Sequence, residues 1–458
     1  MNQTDIAIIG AGLTGLTTAF RLRSRDLVVL ERQPRTGGQI HTHHADGFTF
    51  ESGPNTGVVS YPEVAELFAD LAPACRLEEA CPAAKRRLIW KGNRFHQLPS
   101  GLVSAVTTSL FTFRDKLNIL GEPWRPKGTD PDESVGALAR RRLGRSFVDY
   151  AVDPFLSGIY AGDPDTLVTR YALPKLYSLE QQYGSFIRGA LAKARQPKTA
   201  RDRLATKAVF SVEGGLNKLT DALANAIGRK RIVTNAHEIK ITPIAHPRPD
   251  GPRWSISYIY KGETVQLEAR TVVTTVGAYA LPDLLPFVPA KQMQPISSLR
   301  YAPVMQVSVG ISCLPAPVYP AFGGLVPTCE HQPVLGILYP SACFEGRAPE
   351  EGALFSYYIG GMRHAGMMKM GDYEVTLLVQ RTLHQMLKLP YEAQASLVRI
   401  FRHEHAIPQY EQSSGARLAT VDDLQHTHPG LILAGNLRDG IGMADRIRQA
   451  CAVAQSLS

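Results

Sequence analysis

The chain has 458 residues, of which 44% are hydrophobic and 20% charged, with a formal net charge of +9. That size leaves room for two or three domains with cores of their own, and that balance excludes a disordered or fibrous protein. No run of about 18 apolar residues occurs, and the opening residues carry Asp5 and lack a basic region, so neither a spanning helix nor a signal peptide is expected and a cytoplasmic location is.

In chain order, Ile6-Ala7-Ile8-Ile9 reads as a short buried parallel strand. Gly10, Gly12 and Gly15 follow at G-x-G-x-x-G spacing. The first allows a tight turn, the second lets backbone approach a pyrophosphate, and the third lets the next helix pack close to the strand. That helix, over residues 14–23, would aim its N-terminal N–H groups at the phosphates. Residues 27–30 form a second apolar strand ending in Glu31, 21 residues after Gly10, where a carboxylate accepts from a ribose hydroxyl. The loop Gly10-Ala11-Gly12-Leu13-Thr14-Gly15 together with Glu31 therefore marks a dinucleotide site. Beyond it, Gly37 and Gly38 suggest backbone crossing a second part of the cofactor, with Arg35 able to pair a phosphate. The E-R-x-x-R-x-G-G run from Glu31 and Arg32 to Gly38 resembles flavoproteins of the amine oxidase and desaturase superfamily, which implies FAD.

Residues 48–50 read as a strand before a Gly-Pro turn, residues 62–71 as a helix with one apolar face, and residues 85–95 as a hairpin turned at Gly92-Asn93. From residue 98 to about 205 the pattern becomes helical. Leu102, Val103, Val106, Leu110 and Phe111 recur at helical spacing, Asp132 begins another helix, and Gly144 should stop it. The apolar faces of this insertion are expected to be core. Between residues 185 and 207 seven basic residues face Asp202 alone. That stretch is either a solvated linker or a patch held near anionic lipid, and nucleic acid is not expected because no recognition motif accompanies the charge. Residues 209–212 return to strand, 216–227 to helix and 230–241 to strand. Residues 254–260 and 264–269 make a hairpin, and 271–276 are again a buried strand. Residues 277–414 mix strands, such as 304–311 and 354–359, with proline-rich loops. At the end, residues 430–435 are a strand, and Gly435, Gly440 and Gly442 precede a helix from residue 446 onward, so backbone N–H groups again gather beside an electron-rich group. The six cysteines show no C-x-x-C pair and no metal spacing, and no metal is expected. The histidines, His41, His43 and His44 among them, read as surface or loop.

With these pieces on the page, the chain resembles the FAD-dependent protoporphyrinogen/coproporphyrinogen oxidases of haem biosynthesis. Residues 154–163 (PFLSGIYAGD), 210–216 (FSVEGGL) and 435–445 carry the likeness. It implies an α/β fold: a Rossmann-type FAD-binding domain of the amine oxidase and glutathione reductase kind, a mixed α+β substrate domain and a helical, membrane-associated insertion. The FAD-binding domain would comprise residues 1–84, 206–276 and 415–458, the substrate domain 85–97 and 277–414, and the insertion 98–205. Noncovalent FAD would be held by Gly10, Gly12, Gly15, Glu31, Arg32, Gly38, Gly435, Asn436, Gly442, Met443, Ala444 and Ile447, with a backbone contact near Glu238, a position where the family usually has valine.

The resemblance further implies hydride transfer from a bridge carbon of a porphyrinogen to flavin N5, with reoxidation by O2 giving H2O2. Such a step needs near-attack geometry more than a strong base, and no Ser/His/Asp or Cys/His constellation stands out. The backbone carbonyl of Gly158 would lie over the macrocycle, Arg87 would pair a propionate, and Phe322, Leu325 and Tyr358 would form apolar walls. An amine oxidase or desaturase of the same superfamily is the alternative, although amine oxidases usually place a lysine near N5 and Gln306 occupies that place here. Protoporphyrinogen IX and coproporphyrinogen III are both open as substrates. So are a peripheral position on the cytoplasmic face of an anionic membrane, and a homodimer.

Overall fold

Ile6, Ala7, Ile8 and Ile9 are all buried because their strand, Asn2–Ile9, lies inside a seven-stranded sheet. The computed structural model describes residues 2–99, 104, 107–314 and 320–458, so Leu102, Val103 and Val106 of the expected helical run lie outside the described residues. Leu27–Leu30 runs parallel to the opening strand on one side, with Ile232–Val233 beyond it, and Glu263–Thr274 runs parallel on the other side. The residues expected as a hairpin arm and a separate strand are this one strand of twelve, since no glycine or proline interrupts them. Its first half pairs antiparallel with Trp254–Tyr260, and its end runs parallel to Leu431–Leu433. Conversely, the strand expected over residues 230–241 is two, Ile232–Val233 and His237–Pro243. Asn235 between them has a φ of 56°, a left-handed turn that ends the first pairing.

The helices Leu13–Arg21, Asn217–Ile227 and Met443–Ser456 cover one face of this sheet and share a core that includes Leu16, Leu223 and Ile447. Parallel strands alternating with helices, opened by a glycine loop, make this a Rossmann-type layer. A second seven-stranded sheet has Leu397–Pro408 at one edge, then Tyr301–Ile311, Ala353–Gly360, Gly336–Leu338, Gly323–Leu325, and the hairpin Arg87–Lys91 and Arg94–Gln97. Gly92 and Asn93 both have positive φ, 55° and 66°, as a two-residue primed turn requires. One face of the sheet buries Val307, Tyr357 and Trp90 against Val375, Val379 and Leu383 of the helix Asp372–Gln385. The other face looks toward the Rossmann-type layer.

The described residues between the hairpin and Val209 form a helical layer. The basic stretch there is helical rather than a linker: Phe186–Ala194 and Ala200–Arg203 are helices capped by Ser185 and Thr199, and Arg201 pairs with Glu63 and Glu66. The expectation that the insertion's apolar faces are core holds for Leu110 and Phe111 but not for the helix Phe113–Leu120. Its Phe113, Leu117 and Leu120 are exposed, as is Trp124 at 79%. Beside an apolar cluster that includes Val135, Leu156, Tyr160 and Leu167, the layer holds a buried group of charges. Fully buried Arg142 donates to the carboxylate of Glu180 at 2.7 Å and lies 3.2 Å from that of Glu122. Glu122 in turn accepts from the backbone N–H groups of Phe186 and Ile187, at the N-terminus of the next helix. Arg142→Met would leave Glu122 buried without a counter-charge, although Glu180 keeps Arg141, so it should destabilise the protein by about 3–5 kcal/mol. Denaturant unfolding measures this, and an unchanged midpoint would show that the buried charges do not help to hold the layer.

Candidate active site

At the cofactor end, backbone meets backbone. Gly12 precedes the helix Leu13–Arg21 as its N-cap, with no side chain capping it. The N–H of Gly37 donates to the carbonyl of Ala11 at 2.8 Å, and a Cβ on Gly38 would come within 3.0 Å of the Gly12 Cα. A Cβ on Gly15 would strike the Gly10 carbonyl, whereas one on Gly12 would meet only the Gly38 Cα, at 4.0 Å, and otherwise enter open space. The buried carboxylate of Glu31 accepts the N–H of Ala11 at 2.7 Å and that of Gln33 at 2.8 Å, so it also fixes the glycine loop to the end of the second strand. Arg35 is not free to reach outward: its guanidinium donates to the carbonyls of Thr36, Gly38 and Ile40, which holds the Gly37-Gly38 loop in place. Arg32 is exposed. Glu238 is exposed too, at a bulge with a φ of 48°, while nearby Ala236 donates its N–H to the Glu31 carbonyl and brings that segment alongside the site.

The C-terminal glycine loop arrives at the same place through Thr275. A Cβ on Gly10 would lie 2.7 Å from the Thr275 hydroxyl, and one on Gly435 would lie 2.9 Å from its carbonyl. The last helix begins at Met443, earlier than residue 446, because the Asp445 carboxylate accepts the N–H of Gly442 and caps it. The side chains of Met443, Ala444 and Ile447 are buried in the core with Leu13 and Leu16, which leaves the helix's backbone end as the part that can face a ligand. The loop between is stapled from below. Arg446 donates to the carbonyls of Arg438 and Gly440, Arg417 to that of Leu437, and the Tyr410 hydroxyl faces those of Asn436 and Gly440. The Asn436 side chain meets the Tyr301 hydroxyl at 3.3 Å. Arg446 and Gln449 stand on the buried face of a helix, which is the one sign of this role in the sequence.

The substrate side is set by strand register. Ile89, Leu325, Gly336, Tyr358 and Gln306 are paired in one row across the second sheet, so their side-chain positions share a face. Arg87 is two residues from Ile89 on that same face; it is exposed, and its guanidinium sits 5.6 Å from the Phe322 ring centroid. Among the described residues no carboxylate pairs with it. Gly158 lies in the last turn of the helix Asp153–Tyr160 and packs on Leu325 so closely that a Cβ would strike its methyl. Around it Phe155 and Ile159 are exposed. The Tyr358 hydroxyl accepts from Asn55 at 2.8 Å, and burial pushes this phenol well above its ordinary pKa, so it stays neutral. Gln306 donates to the Glu51 carbonyl at 2.7 Å. His41 and His43 are half-buried rather than surface residues. His43 stacks on Phe50 and Phe401, and burial beside Arg35 lowers His41 to about 4.

A Rossmann-type layer whose glycine loops converge under a second sheet defines the class of two-domain dinucleotide-dependent oxidoreductases. Residues 13–458 match the flavin containing amine oxidoreductase family, and the chain belongs to it. It is a flavin-dependent oxidoreductase with FAD as its cofactor. The site fits that group, since an uncapped helix end faces the open space in front of Gly12. The chain is 28% identical to protoporphyrinogen oxidase 2 of Arabidopsis thaliana, over 98% of this chain and 92% of the relative. It is 25% identical to coproporphyrinogen III oxidase of Bacillus subtilis, over 100% and 98%. A structure from Exiguobacterium sp. 255-15, provisionally named protoporphyrinogen oxidase, shares the fold at a TM-score of 0.79 and 22% identity, covering 100% of this chain and 98% of that one.

Because Gly12 has extended backbone, φ −76° and ψ −179°, and space around its Cα, Gly12→Val should fold and yet lose its flavin. Gly15→Ala, which drives a Cβ into a backbone carbonyl, should fail to fold. Absorbance at the flavin band against circular dichroism separates the two. A fully flavinated Gly12→Val protein would show that the pyrophosphate does not pass there.

Proposed function

We propose that the chain oxidises a porphyrinogen, protoporphyrinogen IX or coproporphyrinogen III, to the porphyrin in haem biosynthesis, with O2 as electron acceptor and H2O2 as its product. The curated relatives, named for one or the other substrate along their whole length, support the reading. The observation that carries it is the convergence of Arg87, Leu325 and Gly158 on one sheet face. FAD, when bound, supplies the two-electron acceptor. The chain's own residues bind, orient and exclude water. The Gly158 carbonyl belongs to the last turn of its helix, where carbonyls lack partners further along and the dipole is negative, so it suits pyrrole N–H donors. Leu325, Phe155 and Ile159 offer apolar surface to a macrocycle, and Arg87 at the edge of the row meets a propionate. Tyr358, neutral and tied to Asn55, is a wall and not a base. Gln306, fixed on the Glu51 carbonyl, leaves no amine at the position where an amine oxidase would need one.

Arg87 lies away from the bridge carbon and meets the propionate alike before and during the reaction, which is uniform binding. A charge-assisted hydrogen bond contributes about 1.5–3 kcal/mol, so Arg87→Ala should raise KM roughly ten- to a hundredfold with kcat little changed. Arg87→Lys should recover part of this, and Arg86→Ala should change little. Porphyrin fluorescence with each porphyrinogen gives these constants. An unchanged KM in Arg87→Ala with a raised one in Arg86→Ala would place the pocket on the other face of the strand.

A peripheral membrane position belongs to the same reading. No helix among the described residues is long and apolar enough to cross a membrane. The exposed stripe of Phe113, Leu117 and Leu120, with Trp124, adjoins through Glu122 the helix Phe186–Ala194, and exposed Arg188, Lys193, Arg195, Lys198 and Arg203 follow. Apolar residues beside cations suit an anionic lipid surface. The protein should sediment with anionic vesicles, less so at high salt and less so as Trp124→Ser. Equal sedimentation with neutral vesicles, unaffected by salt, would remove the electrostatic part of this proposal.

A further inference from the structure

The helix that carries Gly158 is held at both ends by segments distant in the chain. It continues from Arg145–Phe147 through a π-helical segment, Val148–Val152. Its first residue, Asp153, has a buried side chain that accepts the N–H of Thr328 at 2.7 Å and the Thr328 hydroxyl at 3.0 Å. Beyond its other end, the Ala161 carbonyl accepts the N–H of Met362 at 2.8 Å. One guanidinium joins the two ends. Arg363 donates to Asp153 at 2.6 Å and to the Thr328 hydroxyl at 3.0 Å, and its second nitrogen donates to Asp163 at 2.6 Å. Asp163 is the last residue of the segment PFLSGIYAGD, and this contact gives it a use that cofactor and substrate do not.

Arg363 follows Gly360 and Gly361 at the end of the strand Ala353–Gly360, and Thr328 follows the strand Gly323–Leu325. The clamp therefore ties the helix to the two strands that bring Tyr358 and Leu325 to the substrate face. We propose that Arg363 is a positioning residue for the porphyrinogen reaction: by binding Asp153 and Asp163 together it sets the height of Gly158 and its apolar neighbours above the sheet, and so the distance of the bound substrate from the flavin. Arg363 itself touches neither. The inference rests on the porphyrinogen reading.

A shift of the order of an ångström in a positioned substrate slows chemistry about a hundredfold. Anaerobic mixing of the holoenzyme with protoporphyrinogen IX or coproporphyrinogen III, followed at the flavin band, should bleach Arg363→Ala about a hundredfold more slowly than wild type. Flavin content and the rate of reoxidation by O2 should match wild type, a split that a general loss of structure would not produce. Arg363→Lys, which can meet one carboxylate but not both, should fall between. Asp163→Asn should slow bleaching in the same direction, and adding it to Arg363→Ala should do little more, since Arg363→Ala has already removed the Asp163 contact. Wild-type bleaching rates in Arg363→Ala, or equal slowing of reduction and reoxidation, would overturn the inference. Should Arg363→Ala not fold, a wild-type rate in Asp163→Asn would overturn it alone. A wild type that neither porphyrinogen bleaches would instead overturn the reading of function, and the inference with it.

Discussion

The nucleotide end depends on main chain lying against main chain. The loop of Gly37 and Gly38 rests on Ala11 and Gly12, and the Gly15 Cα lies beneath the Gly10 carbonyl. A side chain on Gly15, Gly37 or Gly38 would press on backbone, whereas one on Gly12 would face open space. A helix end without a side-chain cap points into that space. The polar groups nearby, Glu31 and Arg35, spend much of their hydrogen bonding on the loops themselves, so the cradle is built before any ligand arrives. Preorganisation of this kind spares binding energy that would otherwise go into ordering backbone.

Reaction geometry then follows from how the second sheet is registered to the first. Gln306 and Tyr358 are tied to Glu51 and Asn55, both in the segment that leads out of the cofactor loop, so the row they share with Leu325 and Ile89 is fixed relative to the cofactor. Glu51 is itself buried, accepts the N–H of Leu216 and the Thr42 hydroxyl, and has its pKa pushed up by burial. It thereby joins the hairpin of residues 42–51 to the helix after the segment FSVEGGL.

Elements whose meaning is local were legible in the sequence. The strand, glycines, helix, strand and acid of the opening each act on their immediate neighbours, and so do the hairpin turn at Gly92-Asn93 and the stop at Gly144. Contacts between distant residues were not legible. Thr275 between two glycine loops, Tyr410 and Arg417 beneath Asn436 to Gly440, and Arg363 across Asp153 and Asp163 involve partners that only the fold brings together. Arg35 shows the converse. Its place beside the glycines suggested a phosphate, but the carbonyls of its own loop lie closer. The basic stretch of residues 185–207 was ambiguous because composition alone does not distinguish a solvated linker from short capped helices.

The central claim is that a bridge hydrogen of a porphyrinogen passes to the flavin held between the two sheets. Anaerobic stopped-flow mixing of the flavoprotein with protoporphyrinogen IX or coproporphyrinogen III, unlabelled and deuterated at the bridge carbons, tests it directly. The account predicts that the flavin band bleaches with either or both, that deuterium slows the bleaching several-fold, and that the flavin loses no colour on mixing with simple amines. A flavin left oxidised by both porphyrinogens, or bleached at a rate indifferent to deuterium while amines reduce it, would contradict the account.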